Sequence, residues 1–230
     1  DPPDIRGSAL LSKERADGHD DQWLYLPAVG KIRRIAESGR TDYFLGTDLT
    51  FEDFSVEDIG RFAYRFVSED TVMSGRPVHV IDAVAADTSS QRRSQYGIRR
   101  LFVDAGRYVI LRAEYFDRAG SLIKILTASN VVGYDVEIRN LKSSDSAGSA
   151  PPAPQVPMSP TSAGTNQDTV WRADRVFVDN IRRNHQTSIR VTARSLLDDF
   201  PADFFTSRTL QRGVAQETPP RLHRTIPDTP

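Results

Sequence analysis

The chain has 230 residues, of which 38% are hydrophobic and 27% charged, with a net charge of −1 and no cysteine. That is enough apolar material for one large domain, and it excludes a disulfide framework, a thiolate nucleophile and an iron–sulfur cluster. The balanced charge, with arginines spread along the chain, argues against a general nucleic-acid binder; no apolar run approaches the roughly 20 residues of a membrane helix, and the sequence shows no signal-peptide core.

In chain order, the first strong signal spans residues 21 to 54. Trp23 and Tyr25 alternate with Leu24 and Leu26, the period of a strand. Pro27 cannot donate to a ladder and Gly30 supplies a turn, so residues 31 to 35 begin a second strand and complete a hairpin. Thr50 or Asp48 can cap a short turn through Phe54, and Ser55 with Asp58 predicts a helix from Val56 to Phe62. Glu52 and Asp53 are favourably placed near helix N-termini, which needs no catalytic role.

Strand periodicity dominates from there. Phe62, Tyr64 and Phe66 alternate with Ala63, Arg65 and Val67; residues 78 to 85 form a β-branched run; Val109, Leu111, Ala113 and Tyr115 alternate with Ile110, Arg112 and Glu114. Residues 121 to 132 continue the pattern, and 175–181 with 187–193 make a final pair around 182–185. Short polar connections at 74–77, 104–107 and 117–120 suit hairpins between neighbouring strands. The predicted fold is mainly β, a meandering antiparallel sheet with few helices. Residues 142–168 are rich in Ser, Ala and Pro and cannot bury enough surface to offset their ordering entropy, so they are expected to form an inserted, disordered loop. Residues 214–230, with Pro219, Pro220, Pro227 and Pro230, are expected to be an unstructured tail, which leaves 1–213 as the domain.

Reactive constellations are scarce. There is no G-x-S-x-G elbow, no phosphate-cradling glycine loop and no H-E-x-x-H. His19, His79, His185 and His223 lack metal-ligand spacing, so neither a metal nor a cofactor is expected. His79 reads as a strand histidine on the solvent face. Asp48, Glu52 and Asp53 could pair as acid and base, and an enzyme built on Asp48, Glu52 or His79 ranks last among the functional readings.

What the alternation does leave is a generous apolar face. On one side it places Trp23, Tyr25, Phe62, Tyr64, Phe66, Val109, Leu111, Ala113, Tyr115, Ile123, Ile125, Val176, Val178, Ile189 and Val191. Such a face is either an ordinary core or, in an open sheet with few covering helices, the lining of a concavity. A hydrocarbon chain would suit the second. Transfer of roughly 0.8 kcal/mol per methylene gives about fifteen carbons on the order of 10 kcal/mol before ordering costs.

Several segments also carry a family resemblance. Residues 3–9 read P-D-I-R-G-S-A; the W-L-Y-L-P strand is followed by R-R-I and by G-T-D-L-T-F-E-D-F; Phe102-Val103-Asp104, Tyr108 and Glu114-Tyr115-Phe116-Asp117 follow; Pro201-Ala202-Asp203-Phe204-Phe205-Thr206 precedes Arg208-Thr209-Leu210-Gln211-Arg212. In this order they resemble the outer-membrane lipoprotein-sorting (LolA-like) family over residues 3 to 213. The resemblance implies a LolA/LolB-like half-barrel of curved antiparallel sheet, its apolar cavity lidded by helices. It implies a non-enzymatic periplasmic carrier of lipid or lipoprotein acyl chains on the way to the outer membrane, with an inner-membrane exporter of the resistance–nodulation–division type as a possible partner. An envelope sensor or regulatory binding protein on the same fold is the alternative. The family's motif strip transfers to Trp23, Tyr25, Pro27, Arg33, Arg34, Gly46, Asp48, Glu52 and Asp53, where Arg33 and Arg34 either pair with Glu52 and Asp53 or meet a lipid head group or partner. The family's opening strands and helix have no match ahead of residue 3, so an N-terminally incomplete half-barrel is expected, and the insertion at 142–168 has no counterpart in the family pattern.

Overall fold

The computed structural model describes residues 5–15, 20–55, 59–135, 169–194, 206–212 and 224–226. Two open antiparallel sheets account for most of them. The smaller has three strands, β1 (Ala9–Glu14), β2 (Asp20–Leu26) and β3 (Lys31–Ile35), in that order. The larger contains β4 (Phe62–Met73), β5 (Arg76–Ala85), β6 (Ile98–Asp104), β7 (Ile110–Phe116), β8 (Leu122–Asp135), β9 (Thr169–Asn180) and β10 (His185–Arg190), each beside its sequence neighbour. The short β11 (Arg224–Ile226), within the stretch expected as a tail, pairs with Gly133 and Tyr134 of β8. The inserted loop expected at 142–168 lies outside the described residues.

Hairpin chemistry explains the meander. Ser74 and Gly75, with φ of 51° and 76°, join β4 to β5 in a turn whose left-handed residues match the strand twist. Asp117 closes the β7–β8 turn by accepting from the backbone N–H groups of Ala119 and Ser121, both at 2.9 Å. Register irregularities fall at Phe66/Ser68, Ser68/Thr71, Phe102/Val103 and Tyr115/Phe116. Each extra residue bends its strand and raises the local twist.

Helix is sparse, as expected. Thr50 caps a 3₁₀ turn, Phe51–Phe54, through a capping box with Asp53. Of the helix expected from Val56 to Phe62, residues 56–58 lie outside the described set, Ile59–Arg61 form a single 3₁₀ turn, and Phe62 already belongs to β4. Two short helices were not signalled: α1 (Thr88–Arg93) and α2 (Ser207–Arg212), the latter packed against all three strands of the small sheet with Leu210 buried.

The register separates two faces of the large sheet, the outer one holding buried Val78 and Val80 as well as charged residues. The outer face carries a cross-strand row of Arg65, Asp82, Arg100 and Glu114. In it, Asp82 accepts from Arg65 at 3.0 Å and from Arg100 at 2.7 Å, and Arg112 reaches Glu114 at 2.9 Å. On the inner face one row crosses seven strands: Phe66, Ile81, Leu101, Ala113, Leu126, Val178 and Thr187.

The β6–β7 corner leaves no room for a side chain at Gly97. A Cβ there would stand 2.6 Å from the Asp117 carbonyl oxygen and 3.0 Å from the Arg118 Cα, both backbone atoms. Gly97→Ala is therefore expected to destabilise the protein by about 1–3 kcal/mol. Urea unfolding of the variant beside the wild type checks this.

Candidate functional site

Residues 40–55 hold the two sheets together. Their apolar side faces the small sheet, where Phe51 packs with Leu24 and Ile35, backed by Leu10, Leu26, Phe44 and Leu45. Arg40 grips both the carboxylate and the carbonyl oxygen of Asp20 on β2. The buried Gln22 donates to the Phe51 carbonyl at 2.9 Å. Gly46 turns this segment at a φ of 78°, a conformation that costs glycine little.

The polar side plugs into the inner face of the large sheet. Asp48, fully buried, accepts from Thr187 Oγ1 at 2.6 Å and lies 2.7 Å from His185 Nδ1, with Arg183 at 3.6 Å. Asp53 meets Lys124 Nζ at 2.6 Å and accepts the Tyr96 hydroxyl at 2.9 Å; Asp53 is 5% and Lys124 3% exposed. The ammonium also lies over the rings of Tyr96 and Tyr115, 4.8 and 4.3 Å from their centroids. Glu52 accepts from Ser94 Oγ and, at 3.3 Å, from the Gln95 N–H. Tyr43 accepts from Asn180 Nδ2 at 3.1 Å.

Burial is the largest influence on the titration of Lys124, Tyr96 and Glu52. It pushes Lys124 below its ordinary range, against the pull of Asp53. Burial and then the Asp53 charge raise Tyr96, and burial raises Glu52 despite the hydrogen bonds from Ser94 and Gln95.

This arrangement corrects the expected pairing of Arg33 and Arg34 with Glu52 and Asp53. Arg34 instead meets Asp21 at 2.5 Å on the face of the small sheet opposite Leu24, and Arg33 stands on the Leu24 face. The sheet alternation separates the two arginines. The cation that neutralises Asp53 is Lys124, which the motifs did not reveal.

The apolar face is likewise redistributed. Trp23 and Tyr25 belong to the small sheet, paired with Leu11 and Ala9 on one side and with Arg34 and Ile32 on the other, so they do not continue the face of the large sheet. Phe62, Tyr64, Phe66, Leu111, Ala113, Tyr115, Val176, Val178, Ile189 and Val191 fall in the inner-face phase of their strands. Ile125 does not: it pairs with Glu114 on the outer face, because β8 presents Lys124 and Leu126 inward. Ile123, beside the register shift, is buried with Tyr96, Ala113 and Tyr115. Val109 precedes β7, where its carbonyl oxygen accepts from Asp104 N. His79, expected on the solvent face, lies on the inner face with its ring edge-on to Phe66, 5.9 Å between centroids.

Segment 40–55 and residues 94–97 cover the inner face over β7 to β10. Towards β4 no comparable cover exists among the described residues: Tyr64 is 42% and Phe66 59% exposed, next to half-buried Ile81, Leu101, Val103 and Leu111. No group of His, Asp and Glu suited to a metal ion occurs among the described residues.

The two open antiparallel sheets, with few helices, match a LolA-like fold. A putative outer membrane lipoprotein-sorting protein domain from Vibrio parahaemolyticus has the same fold, with a TM-score of 0.68 and 24% identity over 92% of this chain and 74% of that one. A DUF1329 family protein from Desulfovibrio piger matches with a TM-score of 0.67 and 21% identity, covering 91% of this chain and 73% of that one. The LolA-like resemblance drawn from the motifs thus holds at the level of fold. A family model described as "-like: Uncharacterized protein" matches residues 1–144, more than half of the chain, and the chain belongs to that family. No curated protein matches.

Two outcomes are expected of the plug. Lys124→Met strands a buried carboxylate and should cost about 3–5 kcal/mol, whereas Arg34→Met, at an arginine 61% exposed, should cost less than about 1 kcal/mol; paired urea titrations measure the contrast. Glu52 binds its proton more tightly in the folded state, so its contribution to stability is full below the ordinary 4.5 and is lost as pH rises through the higher folded value. Glu52→Gln should flatten that decline, seen by comparing unfolding free energies of variant and wild type from pH 4 upward.

Proposed function

We propose that this protein is a non-enzymatic carrier that takes up a lipid or lipoprotein acyl chain on the uncovered part of the inner face. The observation that carries this reading is the exposure of Tyr64 and Phe66 at one end of an apolar row whose other end is buried beneath segment 40–55. The Phe66 side chain, exposed beside Ile81, Leu101 and Leu111, gains by covering. A hydrocarbon chain offers that cover without any hydrogen-bond code, at roughly 0.8 kcal/mol per methylene buried. On the outer face the Arg65–Asp82–Arg100 row is satisfied by its own ion pairs and offers no such gain.

Uptake and release then need no chemistry on the cargo, only a difference in burial between the protein and its donor or acceptor. The likeness to a lipoprotein-sorting domain supports a place in the periplasm and cargo bound for the outer membrane. The exporter partner implied by the sequence resemblance finds no support among the described residues.

Displacement of a fluorescent long-chain fatty acid tests the proposal. Phe66→Glu should weaken binding by about tenfold or more, the value of burying one large aromatic side chain, and should leave the unfolding midpoint near that of the wild type because the side chain is exposed. Unchanged affinity in this variant would remove the inner face as the binding site.

A further inference from the structure

Apart from the inner face, the fold holds a second recess of about 380 Å³, formed where β3 and the following 3₁₀ turn (Glu37–Gly39) meet segment 40–55. Its floor is apolar: Leu24, Ile35 and Phe51 line it. Gly39 lines its edge, where a Cβ would come into contact with Asp42 Oδ2 at 3.5 Å and Ile35 Cγ2 at 3.8 Å. Two opposite charges border this floor. Arg33 pairs across the ladder with Leu24 and so lies on the cleft side, while Arg34 is held on the far side by Asp21. Arg33 and Asp42 are both exposed, both line the cleft, and among the described residues neither side chain makes an ion pair or hydrogen bond.

A cleft with an oily floor and two unmatched charges of opposite sign selects against simpler ligands. A bare hydrocarbon would desolvate both charges without return. A simple anion would satisfy Arg33 and be repelled by Asp42. A molecule with a phosphate, an ammonium and a short apolar stem satisfies all three surfaces at once. The volume lies at the small end of the range for ligand sites, about 300–1,000 Å³, which is room for a head group and the first carbons but not for two long chains.

We infer that this cleft binds the head group of a zwitterionic phospholipid of the ethanolamine type, with the phosphate on Arg33, the ammonium on Asp42, and the glycerol and first methylenes on Leu24, Ile35 and Phe51. The assignment names the lipid class and rests on the preceding reading that the protein binds lipid, not on where the acyl chain lies.

Short-chain lipids test it on the whole protein. Dihexanoyl phosphatidylethanolamine and dihexanoyl phosphatidylglycerol are titrated below their micellar concentrations, with binding followed by calorimetry and folding checked by circular dichroism. The wild type should prefer the ethanolamine lipid. Arg33→Ala should weaken both lipids by about tenfold, and Asp42→Asn should weaken only the ethanolamine lipid by about the same factor. Gly39→Val, which narrows the cleft beside Asp42 and Ile35 without altering its charge, should weaken both. Equal affinity for the two lipids, or full binding in Arg33→Ala and Asp42→Asn, would overturn the assignment. Phe66→Glu separates this from the acyl-chain site. If it loses fatty-acid binding while the cleft variants bind the ethanolamine lipid normally, the carrier stands and the cleft assignment falls. If the cleft variants lose that lipid and Phe66→Glu changes nothing, the cleft stands and the inner-face carrier falls.

Discussion

The buried contact between Asp53 and Lys124 is the constraint on which the rest of the molecule depends. It fastens segment 40–55 to the large sheet, while the other side of the same segment builds the core of the small one around Phe51, Leu24 and Ile35. Two sheets that share no ladder are thereby held against each other. The acids and tyrosine of the segment meet specific partners: Asp48 with Thr187 and His185, Glu52 with Ser94 and Gln95, Tyr43 with Asn180. An ion pair taken out of water contributes little net stability compared with an apolar substitute, but removing one partner is costly. The cluster therefore fixes one position of the segment along the sheet.

That position determines where the apolar inner face is covered. Over β7 to β10 the plug and residues 94–97 lie on Tyr115, Val178 and Thr187. Towards β4 the same row ends in exposed Phe66. The outer face carries arginines and carboxylates locked across strands beside the buried Val78 and Val80, whereas the inner face towards β4 leaves aromatic side chains exposed. Bulges along β4 bend this edge and break the regular pattern that a foreign strand would need for pairing, which suits an edge meant to border a binding surface and not to polymerise.

Much of the fold could be read from the sequence, because hairpin turns and period-2 alternation are local. The turn at Ser74–Gly75, the cap at Thr50 and the final hairpin before His185 all lie where residue chemistry placed them. The errors have physical causes. In Leu122 to Leu126 apolar residues stand on both phases, so periodicity cannot tell which side Ile125 takes; the register shift at Tyr115/Phe116 and the pairing of Lys124 with Tyr115 decide it. Alternation along Trp23 and Tyr25 was real, but no local rule says that the ladder stops after β3 and that a separate sheet begins at β4. The motif acids were recognisable, yet their partners Lys124, Tyr96 and Thr187 are more than 40 residues distant and carry no pattern of their own. One signal did exist: in a chain whose cations are almost all arginine, a lysine flanked by Ile123 and Ile125 marks a buried charge in need of a partner.

The central claim is that hydrocarbon lies on the inner face between β4 and β7, beyond the reach of the plug. Photo-crosslinking with a diazirine-bearing long-chain fatty acid, followed by peptide mass spectrometry, tests it most directly. Adducts concentrated on Tyr64, Phe66, Leu101 and Leu111 are the predicted result; adducts confined to outer-face positions such as Phe177, or spread evenly over both faces, would contradict it.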